Sequence, residues 1–260
     1  MSEVGSPKSF CYYCRRTLPT GWSGLVCARC KTYFDQIQVV KDLSDHLGIK
    51  VAEGGATPSS YSSFNIDDNG YVDSLTLRGV VRVDLPILDR FIRLQTLDLS
   101  TNGLDCLTTV PHLPHLTQFL LNQNRLTDLP SEISQRMPFL QVLELRENHF
   151  SSIPPVVSEL SHLEHLYLDR NSLRIVPDFL NTLTTLKTLS LPSNLIEYVP
   201  EGLESLKNLE GLYLANNPLD SLPSSLQFLE NLRYLSLTHT GVASNDPTLL
   251  ELRRRGVRVY

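Results

Sequence analysis

The feature that most constrains this chain is a leucine motif that recurs at nearly constant spacing between Leu94 and Val242. The motif reads Leu-x-x-Leu-x-Leu-x-x-Asn-x-Leu with small substitutions, and successive copies begin 22 to 24 residues apart. A period of this size is typical of a solenoid, because one such unit cannot bury its apolar side chains alone and must stack on its neighbours. The copies begin at Leu94, Leu116, Leu140, Leu163, Leu186, Leu209 and Leu232.

Each part of the motif has a physical role. The Leu-x-Leu alternation predicts a short strand with one buried face, since side chains alternate between the two faces of a strand. Asparagine follows where the chain must turn while its backbone groups become buried, and a carboxamide both donates and accepts hydrogen bonds. The motif therefore predicts a ladder of structural asparagines along the solenoid. These are Asn102, Asn124, Asn148, Asn171, Asn194 and Asn217.

The segments between the strands carry an apolar-proline pair in five copies, as in Val199-Pro200. Proline suits the first turn of a short helix, where its missing amide hydrogen costs nothing. We therefore expect brief helical or 3₁₀ segments on the outer, convex side of the solenoid. Pro114 interrupts the segment between the second and third strands, so an irregular conformation is predicted there.

The repeated block closely resembles the leucine-rich repeat family over about two thirds of the chain. The resemblance implies an α/β fold, a leucine-rich repeat solenoid with a curved parallel sheet of about eight repeats. It also implies protein binding as the general activity. Leu75 and Leu77 supply a degenerate first repeat, preceded by a hairpin turn at residues 67–70. At the other end, a helix over Asp246–Arg255 and a short strand to Tyr260 are predicted to cap the solenoid.

Four of the five cysteines form two pairs near the N-terminus, Cys11-x₂-Cys14 and Cys27-x₂-Cys30, with twelve residues between the pairs. Two such pairs can supply the four thiolates of a tetrahedral Zn²⁺ site. The segment resembles a small zinc ribbon, so we expect one structural Zn²⁺ as cofactor. Iron in a rubredoxin-like site and a redox dithiol or disulfide remain alternatives. A ring-type ubiquitin ligase module is excluded, because the segment lacks ligands for a second metal.

The chain is predicted to have three parts. Residues 1–34 form the zinc-ribbon-like module, residues 35–62 a helix and linker, and residues 63–260 the solenoid with its N- and C-terminal caps. The helix is expected from Tyr33 to Leu47, with Phe34, Ile37 and Val40 on its apolar face. Turn-forming residues at 54–60 favour a linker.

The charge and hydropathy of the chain predict where the protein is located in the cell and which partners it can bind. The net charge is −5, with +3 over residues 1–50 and −8 over the remainder. Basic and aromatic residues of the N-terminal segment suggest nucleic-acid contact, but a solvated rim on a structural metal module is the favoured interpretation because the patch is small. These residues are Tyr12, Tyr13, Arg15, Arg16, Trp22, Arg29 and Lys31. Without a membrane-spanning run or a signal peptide, and with clustered cysteines, a cytoplasmic location is predicted.

The binding site is expected on the concave face, where the x positions of the strands point outward. Aromatic and arginine side chains dominate binding hot spots, since they bury area while offering hydrogen bonds. The alternative is that these outward residues merely keep the sheet soluble. The predicted partner-binding residues are Glu144, Arg146, His165, Tyr167, Asp169, Arg170, Tyr213 and Tyr234.

Catalysis is not predicted. The sequence shows no nucleophile motif, phosphate-binding glycine loop or His-Glu-x-x-His motif. His165 with Asp169 or Glu144 is the only acid-base grouping that the pattern brings to one face. The sequence therefore favours an intracellular protein–protein interaction adaptor with a structural zinc module and no membrane contact. The alternative is a nucleic-acid-associated factor whose zinc ribbon contacts nucleic acid while the repeats recruit a protein partner.

Overall fold

The computed structural model of the chain describes residues 28–48, 50–53, 62–80 and 86–260. Within these residues, eleven strands form one sheet in chain order, and every adjacent pair is parallel except β2 and β3. The strands are β1 (Val51–Glu53), β2 (Ser62–Ile66), β3 (Val72–Thr76), β4 (Thr96–Asp98), β5 (Gln118–Leu120), β6 (Val142–Glu144), β7 (His165–Tyr167), β8 (Thr188–Ser190), β9 (Gly211–Tyr213), β10 (Tyr234–Ser236) and β11 (Arg258–Val259). The helices are α1 (Ala28–Leu47), α2 (Ile133–Arg136) and α3 (Pro247–Arg254).

Strands β3 to β10 are the eight predicted repeat strands, so the predicted α/β leucine-rich repeat solenoid is confirmed. The motif leucines fill one continuous core. In the copy of the motif that begins at Leu140, the residues Leu140, Leu143 and Leu145 are each at most 1% exposed. Because strand side chains alternate, burying these leucines turns the intervening residues toward solvent on the sheet face.

The asparagine ladder is confirmed. Asn148 Nδ2 donates to the carbonyl oxygens of Leu121, Leu145 and Arg146 at 2.9, 3.1 and 3.2 Å. Its Oδ1 accepts from the amide of Leu126 at 3.0 Å. The side chain therefore joins its own turn to the preceding repeat. It also gives buried backbone groups hydrogen-bond partners, which a leucine side chain cannot do.

The residue before each ladder position adopts a left-handed backbone conformation, which the sequence did not predict. Seven non-glycine residues have φ between 54° and 60°, and Glu147 is one of them. This conformation costs roughly 1–2 kcal/mol per residue. It directs the amide of Glu147 to the Asp169 carbonyl of the next repeat at 2.9 Å. The resulting bond between repeats offsets the strain.

The outer segments follow the prediction. Short 3₁₀ helices occur at Pro86–Arg90, Pro155–Glu159, Asp178–Thr182, Leu203–Ser205 and Ser224–Phe228. The stretch around Pro114 contains no helix, as expected, yet Leu113 and Leu116 on either side are fully buried. Leucine burial is therefore kept where proline disrupts the helix.

Helix α1 differs from the prediction, because it begins at Ala28 instead of Tyr33 and so includes Cys30 in its first turn. An added Cβ on Gly70 would lie 2.6 Å from the Arg29 carbonyl oxygen, which shows how closely the helix start packs on the β2–β3 turn. This packing, absent from local sequence signals, accounts for the earlier start.

The buried face of α1 also differs, because Phe34 is 41% exposed whereas Val39, Val40 and Leu43 join the solenoid core. Gln36 Oε1 accepts from the Val72 amide at 3.4 Å. The helix thus packs on the solenoid as an N-terminal cap. The division at residues 34 and 62 stays a prediction, as does the zinc ribbon, because Cys11, Cys14 and Cys27 lie outside the described residues.

The C-terminal cap is confirmed. Asp246 Oδ1 accepts from the Leu249 amide at 3.0 Å, which caps α3 at its N-terminus. Gly256, with φ of 89°, ends the turn after the helix, and β11 then pairs with β10. Among the described helices, none has the length and apolar character needed to cross a membrane.

Candidate protein-binding face

The register of the strands aligns the outward-facing residues in columns across the sheet. Tyr167 pairs with Glu144 on one side and Ser190 on the other, and Ser190 pairs in turn with Tyr213. Neighbouring strands lie roughly 5 Å apart, so residues of one column can contact each other. The full column is Thr76, Asp98, Leu120, Glu144, Tyr167, Ser190, Tyr213 and Ser236.

A central cluster forms on β6, β7 and the residues that follow them; it consists of Glu144, Arg146, His165, Tyr167 and Asp169. Arg146 Nη1 donates to Glu144 Oε2 at 2.7 Å, and Nε donates to Asp169 Oδ2 at 3.1 Å. The guanidinium carbon lies 4.0 Å from the centre of the Tyr167 ring. Arg146 is therefore held by two carboxylates and an aromatic face at once.

Two residues that sequence reasoning missed extend the central cluster. Asn122 Nδ2 donates to Glu144 Oε2 at 2.6 Å, and Asn122 Oδ1 accepts from the Arg146 amide at 2.9 Å. On the other side, Ser190 Oγ donates to Asp169 Oδ1 at 2.6 Å. Asn122 lies in the same column as Arg146, and Ser190 lies in the same column as Tyr167. This alignment is the sequence signal that could have identified them. The network fixes the side chains before any partner arrives, which lowers the entropic cost of binding.

Tyr167 keeps its phenolic proton at neutral pH. Burial raises the pKa of Tyr167, Arg146 acts in the opposite direction, and the charge of Glu144 raises it further. The hydroxyl can therefore donate a hydrogen bond. The His165 ring stacks beside Tyr167 with a centroid distance of 6.4 Å. Its Nδ1 is buried without a hydrogen-bond partner among the described residues.

The other three predicted residues lie on the flanks of the central cluster. Arg170 is exposed at the margin, where Nη1 lies 3.3 Å from Glu147 Oε1. The Tyr213 ring lies over Gly211, since an added Cβ there would be 2.8 Å from Tyr213 Cε2. Tyr234 lies further along the sheet, with the Arg258 guanidinium carbon 5.7 Å from its ring centre.

The concave face therefore has two halves of different character. The outward residues of β4 to β7 and the positions after them include the charged side chains of the central cluster. The outward residues of β8 to β10 are uncharged and form what we call the tyrosine half. This half contains Thr188, Ser190, Pro192, Gly211, Tyr213, Ala215, Tyr234 and Ser236. Tyrosines among small residues supply rigid, amphipathic contact area at low entropic cost, as in antibody combining sites.

Comparison with known proteins agrees with this architecture. The family model described as leucine-rich repeat region matches residues 71–194, and a second model, leucine rich repeat, matches residues 184–242. A human relative, leucine-rich repeats and immunoglobulin-like domains protein 3, is 36% identical over 96 residues. That match covers 36% of this chain and 9% of the relative.

Two solved structures share the fold. A leucine-rich repeat protein of Leptospira interrogans matches with a TM-score of 0.61 and 33% identity, over 66% of this chain and 44% of that one. The Arabidopsis receptor kinase HAESA, in complex with the peptide hormone IDA and the co-receptor SERK1, matches with a TM-score of 0.56 and 25% identity. That match covers 82% of this chain and 37% of HAESA.

The chain thus spans less than half of the length of each of these three proteins. The motif, the fold and the two family models agree over the repeats. Leucine-rich repeat proteins generally mediate protein–protein interaction and typically serve as non-enzymatic binding scaffolds. From residue 71 to residue 242, this chain belongs to the leucine-rich repeat family.

Proposed function

We propose that the chain is an intracellular adaptor that binds a partner protein on its concave face, between β6 and β10. The observation that carries this proposal is the fixed position of Arg146 between Glu144, Asp169 and the ring of Tyr167. A solubilising surface needs no such order. An arginine and a tyrosine whose conformations are already set lose little entropy when a partner covers them.

The surroundings of the central cluster support the same proposal. The tyrosine half continues the face with amphipathic side chains, and such residues are enriched where protein interfaces are most strongly stabilised. HAESA, which shares the fold, is bound to a peptide hormone and a co-receptor. A reducing compartment fits Cys106, an exposed thiol, better than an oxidising one does.

Replacing Tyr167 tests the proposed face. Tyr167→Ala should weaken partner binding by at least about 2 kcal/mol, because it removes both the aromatic contact and the support of Arg146. Folding stability should fall by only about 0.5–1 kcal/mol, the usual size of a partly exposed cation–π contact. The partner is first isolated by affinity purification with the full chain, and its affinity is then measured by calorimetry.

The matched control is Tyr198→Ala. Tyr198 is 55% exposed and lies in the segment after the asparagine turn, away from the concave face. Its removal should leave partner affinity unchanged. Equal affinities of the two variants for the partner would place the interface elsewhere on the solenoid.

We also propose that Cys11, Cys14, Cys27 and Cys30 hold one structural Zn²⁺. Four thiolates are a suitable donor set for this ion. Cys27 directly precedes α1 in the sequence and Cys30 lies in its first turn. A thiolate near a helix N-terminus is stabilised by the positive end of the helix dipole. A metal-bound module of this size would depend on the ion for its folding.

Elemental analysis of the full chain, purified without added metal, tests the zinc proposal. About one equivalent of zinc per chain is expected. A chelator should unfold the segment that precedes α1 and leave the thermal transition of the repeats in place. Zinc well below one equivalent, with free or disulfide-bonded thiols at these positions, would contradict the proposal. The variant Cys106→Ser is the control, because Cys106 lies in a repeat and should not change the zinc content.

A further inference from the structure

A cleft of about 530 Å³ opens at the C-terminal end of the sheet, between the start of β10 and the chain that follows α3. Its lining includes Glu230, Arg233, Tyr234, Arg255 and Arg258. We call it the arginine cleft. Three guanidinium groups surround one carboxylate there, so the lining carries a net charge of +2 within a chain whose net charge is −5.

The arginine cleft is continuous with the tyrosine half. Arg258 on β11 pairs in register with Tyr234 on β10, which pairs with Gly211 on β9. Arg258 therefore extends an outward-facing column of the concave face. Its guanidinium carbon lies 5.7 Å from the Tyr234 ring centre, so the ring forms one wall beside the positive charge.

The arginines of the cleft are positioned but only weakly neutralised. Arg255 donates to the carbonyl oxygens of Gln227 and Leu229, and these bonds fix its guanidinium without cancelling its charge. Arg233 Nη1 lies 3.8 Å from Glu210 Oε2, with both side chains well exposed. Within the described part of the chain, Arg258 forms no ion pair with a carboxylate.

We propose that the arginine cleft binds carboxylate side chains of an extended acidic segment of the partner protein. This inference rests on the proposed function, because it assigns one end of the same concave face. Arginine binds carboxylates through paired N–H donors, and the adjacent Tyr234 ring accommodates the apolar stem of a glutamate. The carboxylates of Glu230 and Glu210 lie near the site and disfavour a doubly charged phosphate relative to a singly charged carboxylate.

The charge distribution along the concave face also determines in which direction the acidic segment of the partner runs along the sheet. The central cluster carries two carboxylates, Glu144 and Asp169, against the single guanidinium of Arg146, so it favours a basic side chain. From β7 to β10 there are three strand spacings, or roughly 14 Å. An extended chain covers that distance in about four residues. The docking segment should therefore carry a basic residue about four positions from its acidic residues.

A labelled peptide tests this assignment with the full chain. The probe is a short fluorescein-labelled peptide in which a lysine lies about four positions from a run of neighbouring glutamates. Fluorescence polarisation measures its affinity, and ¹⁵N NMR follows the amides of Gly256 and Arg258. Replacing the glutamates of the peptide by glutamines should weaken binding about tenfold, because the charge-assisted bonds to two arginines are lost. The Gly256 and Arg258 signals should shift with the glutamate peptide.

The matched protein variants are the double substitution Arg233→Gln with Arg258→Gln, and the control Arg125→Gln. Arg125 and Arg233 have equally exposed side chains, at 67%, but Arg125 lies far from the cleft in a repeat near the other end. The double variant should lose about tenfold in affinity for the glutamate peptide, and the control should lose none. Unchanged thermal midpoints establish that both variants are folded.

Three results would overturn the assignment. The first is equal affinity for the glutamate and glutamine peptides. The second is clearly tighter binding of a phosphoserine version, which would make the site one for phosphate. The third is binding of single-stranded DNA or anionic vesicles without binding of the peptide. None of these results decides the concave-face proposal, which is tested separately by the partner affinity of Tyr167→Ala. A failure of the arginine-cleft assignment can therefore be told apart from a failure of the proposed function.

Discussion

Asn148 illustrates how single residues hold the solenoid together. Its four hydrogen bonds reach the backbone of Leu121 and Leu126 in the preceding repeat and of Leu145 and Arg146 in its own. Asn148 is only 4% exposed, so water cannot replace these bonds. A buried backbone group left without a partner is more costly than the bond itself is stabilising.

Asn148→Ala should therefore destabilise the protein by about 1–3 kcal/mol. The effect should extend to the repeats on both sides, because each repeat of a solenoid depends on its neighbours. Chemical denaturation, followed by circular dichroism, measures the change. His149→Ala is the control, since His149 is exposed and adjacent to the same turn. An unchanged denaturation midpoint for Asn148→Ala would contradict the structural role of the ladder.

Sequence reasoning identified Tyr167 and Arg146 as candidates but not how they interact. Their positions follow from the repeat register, which the motif predicts. Their contacts depend on side-chain rotamers of residues that lie 21 to 24 positions apart, such as Asn122 with Arg146 and Asp169 with Ser190. Tyr213 also depends on its rotamer, because its ring lies over Gly211 on the same strand, where no side chain excludes it.

Helix α1 illustrates the limits of prediction for single elements. Its first turn contains Arg29, Cys30 and Lys31, which sequence reasoning assigned to the metal module. The earlier start depends on packing of Arg29 against Gly70, 41 residues further along the chain, and on burial of Leu43 in the solenoid core. Helical periodicity indicated that a helix exists, but it carried no information on these tertiary contacts.

Truncating Leu43 tests the capping role of α1. Leu43 is fully buried, so Leu43→Ala should cost about 2–5 kcal/mol through lost burial and the cavity left behind. The loss should appear first as faster hydrogen exchange in β1 and β3, which the helix contacts. Lys41→Ala, an exposed change on the same helix, is the control. Faster exchange confined to β9 and β10, or none, would contradict the capping role.

On the scale of the whole molecule, the chemical character of the concave face changes along the sheet. The charged central cluster lies near its middle, the tyrosine half follows, and the arginine cleft lies at its C-terminal end. The sequence predicted the solenoid, the number of repeat strands and both ends of the repeat array. It did not predict the arginine cleft, because α3 and β11 bring Arg255 and Arg258 beside Arg233 only in the folded chain.

The central claim is that the concave face, and no other surface of the repeats, contacts the partner. Hydroxyl-radical footprinting of the full chain with its purified partner tests this directly, because four tyrosines report on different surfaces in one experiment. We expect Tyr167, Tyr213 and Tyr234 to become protected while Tyr198 reacts as before. Protection of Tyr198, with unchanged reactivity of the three concave tyrosines, would contradict it.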